Sequence, residues 1–478
     1  MIAEDVLFSG IRELGAQLRA RRFSAVELAE LSLRRLETIG PKLGAVVTLT
    51  RERAMSEAHR ANQELFAGKD RGPLHGIPYG VKDLVAAKGA ATSWGASPLR
   101  EQVFDYDATV VTRLEQAGAV MVAKLALVEL AGGMGYNSPD ASFTGPGRTP
   151  WNTGYWSGGS SSGSAAAVAA GLVPFTIGSE TSGSILTPAA FCGVAGLRPS
   201  YGLVSRHGAM ALAWTLDKLG PLARSVDDCA IVLAAIAGPD PADPTTTGDL
   251  FRHKPPPARP ARRFRVGVLR HATLGTDPDV ESGFKQALDA LGDVADLDQD
   301  VPLPDLPYAD AVRLIVAAEG ASALRELIDS GRVKQLQDRA DRVRGFARLL
   351  TPAVDYIDAM RARVTMRAEL DALVSRYDAL VAPTRTRVAP PIGQDFDAPT
   401  PGSPPQPEPR PGAARPLATI AAGNLAGLPA LALPMGFGAN GLPVSLQLIG
   451  RAFSEPVLVA VGTAYQQVTD WHRKRPPA

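Results

Sequence analysis

Cysteine is scarce in this chain of 478 residues: Cys192 and Cys229 are the only two, and they form no C-x-x-C motif. Two cysteines are too few for a disulfide framework and argue against structural zinc, so we predict buried free thiols in a reducing compartment. An excess of one charge is also lacking, because 50 basic side chains stand against 49 acidic ones. Nucleic-acid-binding proteins normally carry a basic excess, so we expect no nucleic-acid partner.

Long hydrophobic runs are absent as well. The longest uncharged stretch, residues 149–179, is interrupted by Gly, Ser and Pro, and we expect no membrane-spanning segment. The first residues, Met-Ile-Ala-Glu-Asp, lack the basic and apolar regions of a secretory signal, which predicts a cytoplasmic protein. With 45% hydrophobic and 21% charged residues, the composition is that of a folded globular protein.

The pattern of residues changes along the chain. Residues 1–70 have apolar positions at helical spacing and predict an N-terminal helical region, whereas from Gly76 short apolar runs alternate with helical stretches, as in α/β proteins. Residues 239–263 predict an exposed connection, and residues 308–380 a second helical region. Residues 399–416 contain eight prolines and predict an extended or disordered surface loop.

Three segments carry candidate chemistry. Residues 157–164 are all Ser or Gly and lead directly into a small apolar run, which indicates either a hydrogen-bonded turn or a reactive serine packed against the core. Residues 178–185 are small enough to turn several backbone N–H groups toward one point, as an oxyanion hole requires, although a plain turn has the same composition. Lys82 ends an apolar run; it is either a desolvated base or an ordinary ion-paired lysine.

Together, these three segments closely resemble the amidase signature family. The matching stretches are residues 76–83, 158–171 and 183–199, with further agreement at residues 137–138, 149–152, 201–205 and 424–429. The resemblance covers about residues 72–238 strongly, and we take this stretch as the signature core. It implies one amidase domain over residues 1–478, with an α/β fold in which a large mixed central β-sheet is flanked by helices on both faces.

The resemblance also implies a Ser–cis-Ser–Lys triad. By motif position Ser184 is the nucleophile, Ser160 is the bridging serine after a cis peptide bond, and Lys82 is the base. The family pattern assigns the backbone N–H groups of the oxyanion hole to Thr181, Ser182 and Gly183, together with Ser184. We predict substrate contacts at Gly132 and Gly133. The small and apolar residues 131–136, with Trp151 and Trp214, favour a neutral or aryl-bearing substrate.

Some positions depart from the family pattern. Ser162 and Ser182 stand where the family frequently has Gly, and residues 137–143 contain an expansion of about four residues near the expected substrate entrance. A G-x-S-x-G pattern at residues 159–163 would instead make Ser161 the nucleophile of an α/β-hydrolase, but the downstream histidines lie in no catalytic-loop context. We therefore favour the Ser–Ser–Lys interpretation.

The sequence thus predicts a cofactor-independent amidase without a metal site, acting on small-molecule amides through an acyl-enzyme. Carbamates, including urethanes, and esters are alternative substrates of the same triad. A transamidosome subunit is less favoured, because residues 417–423 lack an acidic residue to hold the amino group of glutamine. A non-enzymatic binding or scaffold protein is the alternative of another class, and a homodimer is a further option that the sequence leaves open.

Overall fold

The structure is a computed structural model that describes residues 2–257, 260, 262–396 and 412–477. Within this described part the β-strands are β1 Val46–Leu49, β2 Pro78–Lys82, β3 Val120–Leu125, β4 Phe175–Glu180, β5 Ala195–Arg198, β6 Lys218–Ala223, β7 Phe264–Leu269, β8 Ala295–Val301, β9 Ala379–Pro383, β10 Ala430–Phe437 and β11 Pro443–Ile449. The α-helices are α1 Ile11–Arg19, α2 Ala25–Thr38, α3 Arg51–Phe66, α4 Thr109–Gln116, α5 Ser162–Ala169, α6 Leu186–Cys192, α7 Val226–Ile236, α8 Pro278–Gly292, α9 Tyr308–Ala323, α10 Arg325–Asp329, α11 Asp341–Arg348, α12 Ala353–Val374, α13 Pro416–Ala426 and α14 Glu455–Val468. Short 3-10 turns lie at Glu4–Phe8, Gly40–Leu43, Ser97–Leu99, Glu129–Gly132, Arg332–Gln335, Ala439–Gly441 and Trp471–Arg473.

These strands form one sheet of 11 strands in the order β1-β3-β2-β4-β6-β5-β10-β11-β9-β7-β8. β2 is parallel to β3 and β4, and β7 is parallel to β8 and β9. The other neighbouring pairs are antiparallel. The prediction of an α/β fold with a large mixed central sheet is confirmed.

Helices cover both faces of the sheet. A Cβ on Gly196 of β5 would lie 2.6 Å from Ala189 of α6, so this residue faces α6. The next residue of β5, Leu197, is the cross-strand partner of Leu431, which packs against Gly462 of α14. Because successive residues of a strand point to opposite faces, α6 and α14 lie on opposite sides of the sheet. Every residue of β2 and β4 is buried, as expected for parallel strands covered on both faces.

The regions predicted from the sequence correspond to observed elements with one addition. Helices α1, α2 and α3 occupy the predicted N-terminal helical region, but β1 lies between α2 and α3 and joins the edge of the sheet. The connection at 239–263 contains no helix or strand in its described residues, and α9 to α12 fill the helical region at 308–380. Residues 397–411 lie outside the described residues, so most of the predicted Pro-rich loop at 399–416 stays a prediction. The division into one domain with these boundaries also stays a prediction.

Both cysteines are buried and unpaired. Burial raises the pKa of the Cys192 and Cys229 thiols well above their usual range, which makes both unreactive at neutral pH. Among the described residues, no helix is both long and apolar enough to cross a membrane.

Candidate active site

The candidate site begins where β2 ends. Lys82, the last residue of β2, is completely buried, and its Nζ donates to Ser160 Oγ at 2.7 Å and to Ser179 Oγ at 2.9 Å. Burial lowers the pKa of Lys82 to about 7, against the opposing effect of Asp217 and Glu180. A substantial fraction of this amine is therefore neutral at neutral pH and able to accept a proton.

Ser160 lies in the loop that precedes helix α5. The peptide bond between Gly159 and Ser160 is cis, as the resemblance implies. Gly158 has a φ of 84°, and a Cβ there would lie 2.8 Å from the backbone of α6, so this position requires glycine. Ser160 is 1% exposed. Its hydroxyl, which accepts from the Lys82 amine, therefore lies away from solvent.

Ser184, the predicted nucleophile, lies in the turn between β4 and α6. The N–H of Ser161 donates to the carbonyl of Ser184 at 3.2 Å and so fastens this turn to the loop that carries Ser160. Ser184 is partly exposed, whereas Ser160 and Lys82 are buried. The structure thus brings the turn of Ser184 beside the Lys82–Ser160 pair and leaves Ser184 as the accessible member of the three.

The turn before Ser184 presents backbone donors without backbone acceptors. Among the described residues, the N–H groups of Thr181, Ser182, Gly183 and Ser184 donate to no backbone carbonyl. The next two N–H groups, of Ile185 and Leu186, donate to Glu180 Oε2 at 2.7 and 2.9 Å. Gly183 has a φ of 89°, a conformation that favours glycine. Grouped N–H donors of this kind are what an oxyanion hole needs.

Glu180, the last residue of β4, fixes this turn through its side-chain carboxylate. Its Oε1 accepts from Arg198 at 2.9 Å and from Asn424 at 2.8 Å, and all three side chains are fully buried. Burial raises the pKa of Glu180, but Arg198 and the hydrogen bonds from Asn424 and the turn outweigh burial and leave the pKa lowered. An ionised carboxylate therefore fixes the start of α6 directly after Ser184.

Ser179 and Glu180 lie in the stretch 178–185 discussed above, but the sequence analysis gives neither side chain a role. Both end the buried strand β4, which runs parallel to β2. The carboxyl ends of parallel strands meet at the same edge of a sheet, so polar residues ending one strand lie near Lys82 at the end of the other. That signal, a buried run ending in Ser-Glu, is present in the sequence and could have identified both residues.

Ser161, the alternative nucleophile, is fully buried. Its hydroxyl donates to the carbonyl of Ser179 at 3.2 Å and accepts from the N–H of the same residue at 3.3 Å. The Ser161 side chain therefore joins α5 to β4 and has no histidine partner among the described residues. Within the same described ranges, no group of three His, Cys, Asp or Glu side chains could hold a metal ion.

Comparison with known protein families agrees with this geometry. A family profile described as Amidase matches residues 27–459. The chain belongs to the amidase signature family. Among its curated relatives in the family is a Glutamyl-tRNA(Gln) amidotransferase subunit from Roseiflexus sp. (strain RS-1), which is 40% identical over 481 residues and 95% covered in both chains.

Solved structures of the amidase signature family share the fold. The native peptide amidase from Stenotrophomonas maltophilia superposes with a TM-score of 0.83 at 34% identity, covering 98% of both chains. The 6-aminohexanoate cyclic dimer hydrolase, solved with its substrate, gives a TM-score of 0.82 at 26% identity and covers 98% of this chain and 99% of its own. The amidase signature fold is therefore confirmed over nearly the whole chain.

The two glycines predicted to contact substrate in this amidase signature chain lie in a tight turn. Ala131 and Gly132 have φ values of 55° and 84°, and a Cβ on Gly132 would lie 2.9 Å from the ring of Tyr136. The carbonyl of Gly133 accepts a hydrogen bond from Arg348, and its N–H donates within the turn at 2.8 Å. The backbone of Gly133 is thus engaged in the fold, and substrate contact at either glycine stays a prediction.

The two tryptophans considered for the substrate region lie in different places. Trp151 donates its indole N–H to the carbonyl of Cys192 at 2.8 Å and packs on Phe437 at 4.6 Å between ring centroids. Trp214 is 40% exposed and lines a cavity of about 180 Å³ that also reaches Ser179 and Thr181. Trp214 thus shares a cavity with residues of the site.

Proposed function

We propose that this chain hydrolyses the C–N bond of small-molecule amides through an acyl-enzyme formed on Ser184. The observation that carries the proposal is the completely buried Lys82, whose Nζ lies 2.7 Å from Ser160 Oγ and whose pKa is lowered by burial to about 7. A lysine in this state is a base at neutral pH, and its hydroxyl neighbour lies in the loop fastened to the turn of Ser184.

The proton path follows from this arrangement. Neutral Lys82 takes the proton of Ser160 as Ser160 takes that of Ser184, and the Ser184 oxygen attacks the amide carbonyl. Ser160 then returns a proton to the leaving nitrogen, the C–N bond breaks, and the amine departs. Water repeats the cycle on the acyl-enzyme, which releases the carboxylic acid and restores Ser184. No cofactor enters these steps.

The negative charge of the tetrahedral intermediate would be held by the turn before Ser184. The N–H groups of Thr181, Ser182 and Gly183 are candidates for this role because they donate to no backbone carbonyl among the described residues. Glu180 supports the proposal indirectly, since its bonds to the first two N–H groups after Ser184 fix the direction of the turn. Gly132 and Gly133 are proposed to line the opposite side of the substrate.

Carbamates, including urethanes, and esters present the same carbonyl to Ser184 and remain alternative substrates. Relatives named as amidotransferase subunits make release of ammonia from glutamine a second candidate function. Helix α13 argues against it, because residues 417–423 contain no acidic side chain and Asn424 is occupied by Glu180. We propose a small-molecule substrate, and a homodimer and a cytoplasmic location stay predictions.

Fluorophosphonate labelling followed by peptide mapping tests the proposed nucleophile. We expect the wild-type chain to be labelled at Ser184, with strongly reduced labelling in Lys82→Ala and none at that position in Ser184→Ala. Ser161→Ala serves as the matched control and should be labelled normally. Labelling of Ser161 that does not depend on Lys82 would contradict the proposal, and absence of all labelling would favour the non-enzymatic alternative.

A substrate panel then separates the chemical classes. Purified chain alone would be assayed on glutamine, simple aryl amides, aryl carbamates and aryl esters, with the Ser184→Ala variant as background. The proposal expects amide hydrolysis by the isolated chain. Ammonia release confined to glutamine, and only when amidotransferase partner proteins are added, would instead assign the chain to the second candidate function.

A further inference from the structure

Four aromatic rings gather beside the loop of Ser160. This aromatic cluster consists of Tyr136, Trp156, Phe191 and Phe396. Trp156 is its centre, with ring centroids 6.1 Å from Tyr136, 6.2 Å from Phe191 and 5.0 Å from Phe396. A Cβ on Gly159 would lie 2.8 Å from the Trp156 ring, so the cluster touches the residue directly before Ser160.

The aromatic cluster also contacts the predicted substrate turn. Tyr136 packs over Gly132, one of the two glycines proposed to line the substrate, and Phe191 lies in α6, the helix that follows Ser184. A single patch of rings therefore connects the substrate turn, the loop of Ser160 and the helix after Ser184. Flat rings in that position suit an aryl or other flat apolar group.

Two buried donors in this patch have no acceptor among the described residues. They are the indole Nε1 of Trp156 and the Nε of Arg385. The guanidinium carbon of Arg385 lies 5.8 Å from the ring centroid of Phe191, the same ring against which Trp156 packs. Buried donors are usually hydrogen-bonded in folded proteins, and these two both lie against the ring of Phe191.

Arg385 also has no carboxylate partner among the described residues. Burial lowers the pKa of Arg385, Tyr136 opposes that shift and Arg387 adds to it, and no carboxylate contributes. No salt bridge to Arg385 occurs within the described residues, although most other partly buried arginines have a carboxylate or carbonyl partner. A guanidinium is matched best by a carboxylate, which accepts through two oxygens.

We propose that Trp156 and Arg385 form a recognition site for a carboxylate on the substrate, and that the aromatic cluster holds the flat apolar group that bears it. The substrate class is therefore an amide whose aryl or similar portion carries a carboxylate, in place of the neutral substrate favoured by the sequence. This inference rests on the proposed function for the identity of the reacting group, and it names the part of the substrate that the triad does not touch.

Matched substrates test the proposal. The first pair is 4-carbamoylbenzoate and 4-acetylbenzamide, in which a neutral group of similar shape replaces the carboxylate. In further pairs, one or two methylene groups are inserted before the carboxylate or its neutral replacement. We expect the wild-type chain to favour the carboxylate member of at least one pair by about 10- to 100-fold in kcat/KM.

Three variants test which residues cause the preference for the carboxylate substrate. Arg385→Gln should abolish it, because the change removes the charge-assisted contact. Trp156→Phe keeps a ring and removes the donor, and should reduce the preference about 3- to 10-fold. Arg387→Gln removes a neighbouring positive charge and should leave the preference unchanged. Unfolding temperatures of all variants are measured, and Arg385→Met, which also removes the charge, replaces Arg385→Gln if the latter is unstable.

The outcomes separate this inference from the proposed function. If Ser184 is labelled and amides are hydrolysed, but wild type and Arg385→Gln show the same ratio for every pair, the carboxylate site is overturned and the proposed function stands. If Ser184 is not labelled, terephthalate binding by calorimetry decides: binding to wild type that is lost in Arg385→Gln supports the site, and equal or absent binding in both overturns it.

Discussion

Two buried lysines on neighbouring strands have opposite surroundings. Lys82 ends β2, and Lys124 lies beside it on β3, where its cross-strand partner is Val81. Both side chains are completely buried. Lys124 Nζ lies 2.9 Å from a carboxylate oxygen of Asp83 and donates to Thr92 at 2.6 Å, whereas Lys82 donates to the hydroxyls of two serines.

The difference shows that burial alone does not create a base. Burial lowers the pKa of both amines, but the ion pair with Asp83 opposes this effect for Lys124. The hydrogen-bond partners of Lys82 are hydroxyl groups, and Asp217 and Glu180 oppose the effect of burial only in part, so its pKa falls to about 7. The partner at the amine therefore distinguishes Lys82, the proposed base, from the ion-paired Lys124 on the same sheet.

The largest effect is expected from removing each lysine in turn and measuring activity. Lys82→Ala should lower kcat/KM by at least about 10³-fold, since the base and its proton path are lost. Lys124→Met should leave kcat/KM within a few-fold per folded molecule, with active sites counted by fluorophosphonate labelling. Equal losses of kcat/KM in the two variants would contradict the proposal that Lys82 is the base and Lys124 is not.

For the free energy of unfolding, we expect the reverse order: the loss of Lys124 should have the larger effect and the loss of Lys82 the smaller. Lys124→Met leaves Asp83 buried without its cation and should reduce the free energy of unfolding by about 3–5 kcal/mol, measured by denaturant titration. The double variant Lys124→Met with Asp83→Asn removes both charges and should be less destabilised than the single variant. Lys82→Met, which deletes a buried amine that has no carboxylate partner, should cost much less.

The pH dependence of the reaction sharpens the comparison further. The proposed base acts in its neutral form, and the pKa of Lys82 is about 7 in the folded chain. Since protonation removes that form, kcat/KM should fall about tenfold per pH unit below the pKa and level off above it. Lys124→Met should keep this profile. A profile that is flat from about pH 5.5 to 8.5 would contradict a titrating Lys82.

Much of this site is visible in the sequence because its parts are local. The serine and glycine loops and the apolar run ending in Lys82 are continuous stretches, and each takes its conformation from small residues and neighbouring strands. Arg198 and Asn424 are different, since they meet Glu180 only after distant strands pair and helix α13 packs over them. The match of those two positions to the family was evident in the sequence, but their contact with Glu180 was not.

The same reasoning explains why the sequence does not reveal the residues of the proposed carboxylate site. The sequence analysis names Trp151 and Trp214 for the substrate region, yet Trp156, directly before the Ser/Gly loop, is the tryptophan that touches Gly159. Arg385 follows β9, a strand that joins the far half of the sheet, and no periodicity or motif links it to Ser160. Side chains brought together by sheet order can be recognised only when that order is known.

The smallest expected effect concerns Ser179, the second hydroxyl partner of Lys82. Its Oγ accepts from Lys82 at 2.9 Å, but it has no place in the proposed proton path, so it orients the amine toward Ser160. Ser179→Ala should lower kcat/KM by only about 3- to 10-fold, the value of one hydrogen bond, while Ser160→Ala should approach the loss seen for Lys82→Ala. Because a hydroxyl that accepts from Lys82 favours the protonated amine, Ser179→Ala should also move the lower limb of the pH profile toward more acidic pH. If Ser179→Ala instead matches Ser160→Ala in rate, the two hydroxyls share the proton path, and Ser160 is not the sole bridge between Lys82 and Ser184.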